Sequence, residues 1–356
     1  MNSICVHNPS YFLLITTLLN IRLGRRDLED LFSDRSPGDI TKCCFGHHIN
    51  KLEDWNTKLT PSQFLERTTL VGSKLPKLTS IVFDESIAQL EQDSLPIRAI
   101  TQLLRLQAAT LQELTLNMWN SKVSGSVVDY EDFFEKLAGC TQLKKFAIDW
   151  DCKYAVTGYH QGIDIETQQN TWVADSVAAA LSRLDRLEKV TLDANVDVSA
   201  EAMAQLCQAG GGVLELCLDG AFHLSLGLFD ALCGDSSRVA ALNLLGVEFH
   251  EHTHMEQLWE RTRRHETIRK LSIDGPLRMA ESLVDCLGED TTLEEVAIDA
   301  FCEDDETSQR STNVAAIQKA RLRKLSLVFW QMHPMCVLGI AESLVRGLDQ
   351  NEWTEE

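Results

Sequence analysis

One spacing recurs along this chain: apolar side chains at the first, fourth and sixth places of a short stretch. Its clearest copy is Leu187-Glu188-Lys189-Val190-Thr191-Leu192-Asp193. The same pattern stands at Leu78/Ile81/Phe83, Leu111/Leu114/Leu116, Leu143/Phe146/Ile148, Val213/Leu216/Leu218, Val239/Leu242/Leu244, Ile268/Leu271/Ile273, Leu293/Val296/Ile298 and Leu322/Leu325/Leu327, with a weaker copy at Ile40/Cys43/Phe45. From Leu78 onward, successive first places are 33, 32, 44, 26, 26, 29, 25 and 29 residues apart. Periods of this size mark a stack of repeated units, because one unit alone cannot bury its apolar face.

The fourth and sixth places are two residues apart, so an extended chain turns both to one side and the third, fifth and seventh places to the other. Each copy is therefore expected to be a short strand with one buried face. Between copies lie apolar sets with helical spacing, such as Phe133/Phe134/Leu137, Val177/Leu181/Leu184, Met203/Leu206/Cys207, Leu228/Phe229/Leu232, Met255/Leu258/Trp259 and Leu283/Cys286/Leu287. A helix after each strand returns the chain to start the next strand in the same direction, which gives parallel strands backed by helices.

This pattern resembles the leucine-rich-repeat family over roughly residues 40 to 345, and a full helix per unit resembles its ribonuclease-inhibitor-like class. The resemblance implies an α/β solenoid, or horseshoe, with a parallel inner sheet and outer helices. The family's Asn or Cys three places after the last apolar position is matched by Asn195, while Trp119, Ala221, Val247, Pro276, Phe301 and Trp330 stand at the corresponding places. Residues 1–36 are expected to form an N-terminal helical cap or an incomplete repeat, 37–335 the solenoid of nine to ten units, and 336–356 a C-terminal capping helix with an acidic tail. No Pro/Gly/Ser-rich linker divides the repeats, so they read as one elongated, monomeric domain.

Charge limits the partner. With 53 acidic and 33 basic side chains the formal charge is −20, so nucleic acid and anionic membranes are repelled on average and a basic protein partner is favoured. The apolar run Tyr11 to Ile15 is too short to span a bilayer. Eleven cysteines occur without a C-x-x-C pair. Cys207, Cys233 and Cys286 recur six or seven places before the next strand, as core thiols would, which points to a reducing compartment, cytoplasm or nucleus.

Three stretches interrupt the repeat. The interval between Leu143 and Leu187 is long, and its excess, Asp151 to Thr171, has no apolar period and reads as an excursion from the strand ends. His250-Glu251-His252-Thr253-His254 matches the H-E-x-x-H spacing of helical zinc sites, yet it falls where other units have an exposed strand-to-helix connection and is expected to be a solvated loop. Cys302 to Ser308 reads as an acidic rim loop.

The exposed strand places should carry function. The fifth is small or polar: Thr115, Ala147, Thr191, Cys217, Asn243, Ser272, Ala297 and Ser326. The seventh holds Asp84, Asn117, Asp149, Asp193, Asp219, Leu245, Asp274 and Asp299, an acidic column. At strand spacing, neighbouring aspartates repel by roughly 0.9 kcal/mol in bulk water. Hydrogen bonds from turn amides would offset this repulsion; a Lys- or Arg-bearing partner would use it. Trp119, Trp150 and Trp330 sit where the strands end, and Trp is frequent at interface hot spots. The expected partner-binding set is therefore Asp149, Asp193, Asp219, Asp274, Asp299, Trp119, Trp150 and Trp330, on a non-catalytic scaffold for protein–protein interaction that needs no cofactor or metal. The resemblance allows a second role, substrate recognition within an F-box-type ubiquitin ligase. A metal-dependent hydrolase at His250 and His254 is the remaining alternative.

Overall fold

The computed structural model describes residues 42–45, 61–83, 94–118, 122–150, 165–193, 198–208, 213–219, 226–246, 252–276, 291–301 and 322–330. The chain forms two compact units, Met1–Gly212 and Val213–Glu356. In the first, strands β1 (Lys42–Phe45), β2 (Ser80–Phe83), β4 (Glu113–Met118), β6 (Lys145–Trp150) and β7 (Lys189–Asp193) lie side by side, all parallel. Its helices are α1 (Pro61–Lys74), α2 (Ile97–Gln107), α3 (Val127–Ala138), α4 (Ile165–Leu181) and α5 (Ala200–Gln208). Short strands β3 (Ser94–Pro96) and β5 (Lys122–Ser124) pair as a separate parallel ribbon just before α2 and α3. The second unit has parallel strands β8 (Glu215–Asp219), β9 (Ala241–Leu245), β10 (Lys270–Pro276), β11 (Glu295–Phe301) and β12 (Lys324–Trp330), with helices α6 (Leu226–Leu232) and α7 (His252–Arg264). Parallel strands alternating with helices make this an α/β fold. No helix among the described residues is long and apolar enough to cross a membrane.

The strand register is the sequence repeat in space. Ile81, Leu114, Phe146 and Val190 stand opposite one another in turn, as do Phe83, Leu116, Ile148 and Leu192. In the second unit Leu216, Leu242, Leu271 and Val296 form one such row and Leu218, Leu244, Ile273 and Ile298 another. All sixteen side chains are buried, each contributing about 1.5–3 kcal/mol of transfer free energy against an exposed reference. The first-place residues Leu78, Leu111, Leu143, Leu187, Val213, Val239, Ile268, Leu293 and Leu322 are buried as well.

The backbone repeats with equal regularity. The second-place carbonyl of one repeat accepts from two successive amides of the next: Thr79 O from Gln112 and Glu113, Gln112 O from Lys144 and Lys145, and Lys144 O from Glu188 and Lys189. Leu214, Ala240, Arg269 and Glu294 do the same in the second unit. Side chains reinforce the joints. The Thr110 hydroxyl donates to Leu78 O at 2.9 Å, and the Thr267 hydroxyl donates to Val239 O at 3.0 Å.

Helices turn one stripe inward. Ile97, Ile100, Leu103 and Leu104 of α2 are buried, as are Tyr130, Phe133 and Leu137 of α3 and Met203, Leu206 and Cys207 of α5, which matches i, i+3, i+4 spacing. At Gly72 of α1 a Cβ would lie 2.8 and 2.9 Å from Leu106 and Leu103, so glycine permits α1 and α2 to approach closely. α3 opens with a capping box: Ser126 Oγ accepts from the Asp129 amide, and the Asp129 carboxylate accepts from the Ser126 amide at 2.8 Å. Arg98 of α2 adds a 2.5 Å contact to the same carboxylate.

Two buried polar side chains each tie neighbouring repeats together. Gln107 donates to Gly72 O and Leu75 O at 2.8 and 2.9 Å and accepts from the Leu78 amide and the Thr110 hydroxyl at 3.2 and 3.3 Å. Its amide thereby satisfies carbonyls that the end of α1 leaves open. His265 spans from Gly234 O at 3.2 Å to Thr267 and Ile268, whose amides and hydroxyl give to Nδ1. That pattern makes Nδ1 the acceptor and Nε2 the donor.

Two sequence expectations change here. The excursion does not extend to Thr171, because α4 begins at Ile165. Glu166, Gln168 and Gln169 are good helix formers, and no Gly or Pro follows Gly162 in this stretch, so propensity rather than apolar spacing carries the helix there. His252, Thr253 and His254 open α7 instead of forming a loop, while His250 and Glu251 lie outside the described residues. The helical sets at Phe133, Met203, Leu228 and Met255 fall within α3, α5, α6 and α7; that at Leu283, both termini and Cys302–Ser308 lie outside the described residues.

Candidate docking face on the strands

Side chains at the odd-numbered strand places stand opposite the buried rows. In β9, β10 and β11 the pattern alternates between buried and half-buried or exposed along the strand, as a pleat with one covered face requires. Cys217 departs from it, being buried at the fifth place of β8.

Third-place charges of opposite sign pair across neighbouring strands. Lys145 reaches Glu113 on the neighbouring strand at 2.9 Å, and Lys270 reaches Glu295 at 3.0 Å. Glu215 accepts from Asn243 at 3.2 Å, and Lys324 stands opposite Glu295 in register. The second-place row does likewise through Lys144–Glu188, Arg269–Glu294 and Arg323–Glu294. The sequence shows the alternating signs, but only the register shows that they are partners.

The seventh-place row has a different character in the second unit. Asp219 stands opposite Leu245, Leu245 opposite Asp274, Asp274 opposite Asp299, and Asp299 opposite Val328. Asp219 and Val328 are exposed, and Leu245, Asp274 and Asp299 half-buried. Partial burial pushes the Asp274 carboxyl above the usual carboxylate range, and the charges of Asp299 and Asp219 push it further in the same direction. One oxygen of Asp299, Oδ1, is inaccessible and has no hydrogen-bond partner among the described residues. No Lys or Arg among the described residues pairs with Asp274 or Asp299. Gly246, at φ 65°, takes the chain out of β9 through the left-handed region and gives its amide to the main-chain oxygen of Asp274 at 2.7 Å; the carboxylate is not its acceptor.

The other expected residues divide. Asp149 stands at the seventh place of β6, half-buried and opposite Asn117. Asp193 ends β7, its side chain outside the described set, and Asp84 and Trp119 are outside it altogether. Trp150 holds the eighth place of β6, opposite Met118, whereas Trp330 holds the ninth place of β12, in a row with Phe301 and Pro276. The structure thus brings Asp219, Asp274 and Asp299 into one row and sets Trp150 and Trp330 at different places of their strands. Val328 continues the row on β12, and its seventh place in the repeat is the sequence signal for it.

Among the described residues no three His, Cys, Asp or Glu side chains form a group able to hold a metal ion. Cys140, Cys207, Cys217 and Cys233 form no disulfide. Burial pushes the Cys140 thiol up to about 12 and that of Cys233 up to about 11.

No family model matches this chain, and no curated protein matches it. Among solved structures, the crystal structure of a TLR13–ssRNA13 complex is similar over 85% of this chain and 55% of that one, at 12% identity and a TM-score of 0.28. This chain spans little more than half the length of that protein, and at such a score the fold assignment rests on the strand register alone.

Proposed function

We propose that this chain is a leucine-rich-repeat protein of the ribonuclease-inhibitor-like class, a solenoid that acts as a non-catalytic scaffold and binds a protein partner on the open face of its strands. The observation that carries this reading is the contrast between rows. Charges at the second and third places are matched across strands, while Asp274 and Asp299 stand side by side with no described cation. Paired charges are satisfied within the chain; Asp274 and Asp299 have charge left for another molecule. The partner is therefore basic, and at a formal charge of −20 it is a protein in preference to a nucleic acid. The docking set is Asp149, Asp193, Asp219, Asp274 and Asp299, with Trp119, Trp150 and Trp330 as anchors where the strands end. Buried free thiols support a reducing compartment, the cytoplasm or nucleus.

The test compares three full-length proteins as baits in native extract: the wild type, Asp219→Asn/Asp274→Asn/Asp299→Asn, and a control of equal charge, Glu131→Gln/Asp185→Asn/Asp235→Asn. The control residues are exposed and away from the row. Proteins retained by the wild type and control but lost from the row variant are the expected result. Equal recovery by all three rejects the face as the docking surface.

A further inference from the structure

Among the described strands the sheet ends at β12, and on its outer side the repeat is left incomplete in three respects. Its fourth-place side chain, Leu325, is half-buried, whereas Leu216, Leu242, Leu271 and Val296 are fully buried. Its second-place carbonyl, Arg323 O, has no following strand to donate to it, whereas Leu214 O, Ala240 O, Arg269 O and Glu294 O each accept the second- and third-place amides of the next strand. Charge is the third. At the second places Glu294 is shared between Arg269 and Arg323, at 3.9 and 3.2 Å. At the third places Lys270 holds Glu295 at 3.0 Å, and exposed Lys324, in register with Glu295, has no ion pair among the described residues. Arg323 itself is 79% exposed, so cations stand in excess at the open edge.

We infer that this edge receives a parallel strand of another protein, with acidic side chains at its second and third places and apolar ones at the first, fourth and sixth. The site is separate from the seventh-place row and does not rest on it. The sheet supplies the template: second and third places run Arg-Lys on β10, Glu-Glu on β11 and Arg-Lys on β12, so an acidic strand is what an Arg-Lys strand accepts. An unpaired edge offers its main-chain donors and acceptors to any extended segment, and cations along it repel basic strands and admit acidic ones. From the third place on, odd-numbered amides of a strand face the preceding strand and even-numbered ones face away. The incoming third-place amide therefore meets Arg323 O, and the two carboxylates meet Arg323 and Lys324. A second copy of this chain does not fit, because its own edge strand β1 brings Thr41 and Lys42 to those places.

The experiment uses the full chain and synthetic peptides labelled for fluorescence anisotropy. The probe reads Gly-Ser-Leu-Glu-Glu-Val-Thr-Ile-Thr-Ser-Gly, with Leu at the first place. One control carries Lys-Lys for Glu-Glu; two others carry an N-methyl group, on the third-place or on the fourth-place amide. Expected are saturable binding of the probe and of the fourth-place N-methyl peptide. The Lys-Lys peptide binds about three- to tenfold more weakly, the range for two exposed charge contacts, and the third-place N-methyl peptide weakens by a similar factor for its lost hydrogen bond. Arg323→Glu/Lys324→Glu, at two exposed places, reverses the preference between the acidic and Lys-Lys peptides, and Asp274→Asn/Asp299→Asn leaves probe binding unchanged. Far-UV circular dichroism establishes that each variant is folded, and the peptide series on the wild type stands without them. Equal binding of the two N-methyl peptides overturns strand pairing. A preference that Arg323→Glu/Lys324→Glu does not reverse, or weakening by Asp274→Asn/Asp299→Asn, puts the peptide elsewhere and overturns the site. Absence of saturable binding overturns it as well, whether a second copy or residues 331–356 of the same chain take the edge or nothing does.

Discussion

Gln107 is the place where a single side-chain amide does most to join two repeats, and its removal has a calculable consequence. The side chain is 1% exposed and bridges the end of α1 to the start of the next strand. Replacement by Met keeps the approximate volume and removes every hydrogen bond. Gly72 O and Leu75 O lose their donor, and the Leu78 amide loses its acceptor. The Thr110 hydroxyl retains Leu78 O at 2.9 Å, so three groups are stranded rather than four. At about 1–3 kcal/mol for each buried unsatisfied group, and with relief where water reaches a helix end, the expected loss is about 3–5 kcal/mol. Because repeat units are stabilised mainly by their neighbours, the damage should be local. Urea denaturation followed by circular dichroism gives the total, and amide hydrogen exchange should show α1 and α2 opening first. Gln102→Met, on the outer side of the same helix, is the control and should stay within about 0.5 kcal/mol of wild type. Equal, small effects of both substitutions would refute the bridging role.

Leu216→Asp places a carboxylate in a fully buried row and should unfold the neighbouring repeats, seen as lost helical circular dichroism and new proteolytic cleavage. With its thiol pushed up to about 12, Cys140 should resist iodoacetamide at about pH 8, where an ordinary thiol is substantially ionised, and react once urea is added; peptide mass mapping reads both states. Asp129 supplies the acid-sensitive contact. Burial raises its carboxyl, but hydrogen bonds from Arg98 and Ser126 and the Arg98 charge outweigh this and hold it below the usual range. A lowered folded-state value means that the contact stabilises above the unfolded carboxylate range and is lost as pH falls through the folded value. Asp129→Asn should therefore cost about 1–2 kcal/mol near neutral pH, as a lost cap does, and the difference from wild type should close in acid.

The seven-residue spacing was sufficient to place the strands, since burial at the first, fourth and sixth places leaves one face of the pleat covered whatever the helices do. Helices with a strong apolar stripe, such as α2 and α5, were equally visible. The start of α4 was not, because Glu166-Thr167-Gln168-Gln169-Asn170 has helix propensity without amphipathic spacing. The position of His252 to His254 within the repeat points to a loop, and tertiary context extends α7 over them. At the candidate face, the aspartates could be read directly, but the distinction between rows depends on register: Lys145 meets Glu113 and Lys270 meets Glu295 only once adjacent strands are aligned. Gln107 and His265 could not be singled out at all. A buried polar side chain is recognised by the backbone groups it completes, and the carbonyls that Gln107 and His265 meet come from residues about thirty places away.

The claim on which the functional reading depends is that Asp274 and Asp299 are held side by side for another molecule, not for the fold. Two unit charges on adjacent strands repel by about 0.9 kcal/mol in water, and by about 3.5 kcal/mol at the lower effective dielectric of a protein surface. Since Asp274 is raised by partial burial and by its neighbours, folding favours its neutral form, and the repulsion is present above its folded value and relieved as pH falls below the unfolded carboxylate range. The decisive measurement is the unfolding free energy of Asp274→Asn/Asp299→Asn against wild type near neutral pH, at low and high salt. A variant more stable by about 1 kcal/mol at low salt, with the gain shrinking in high salt and in acid, is the expected result. A variant less stable than wild type would mean that these carboxylates serve the turns of the fold, and the docking row would have to be abandoned.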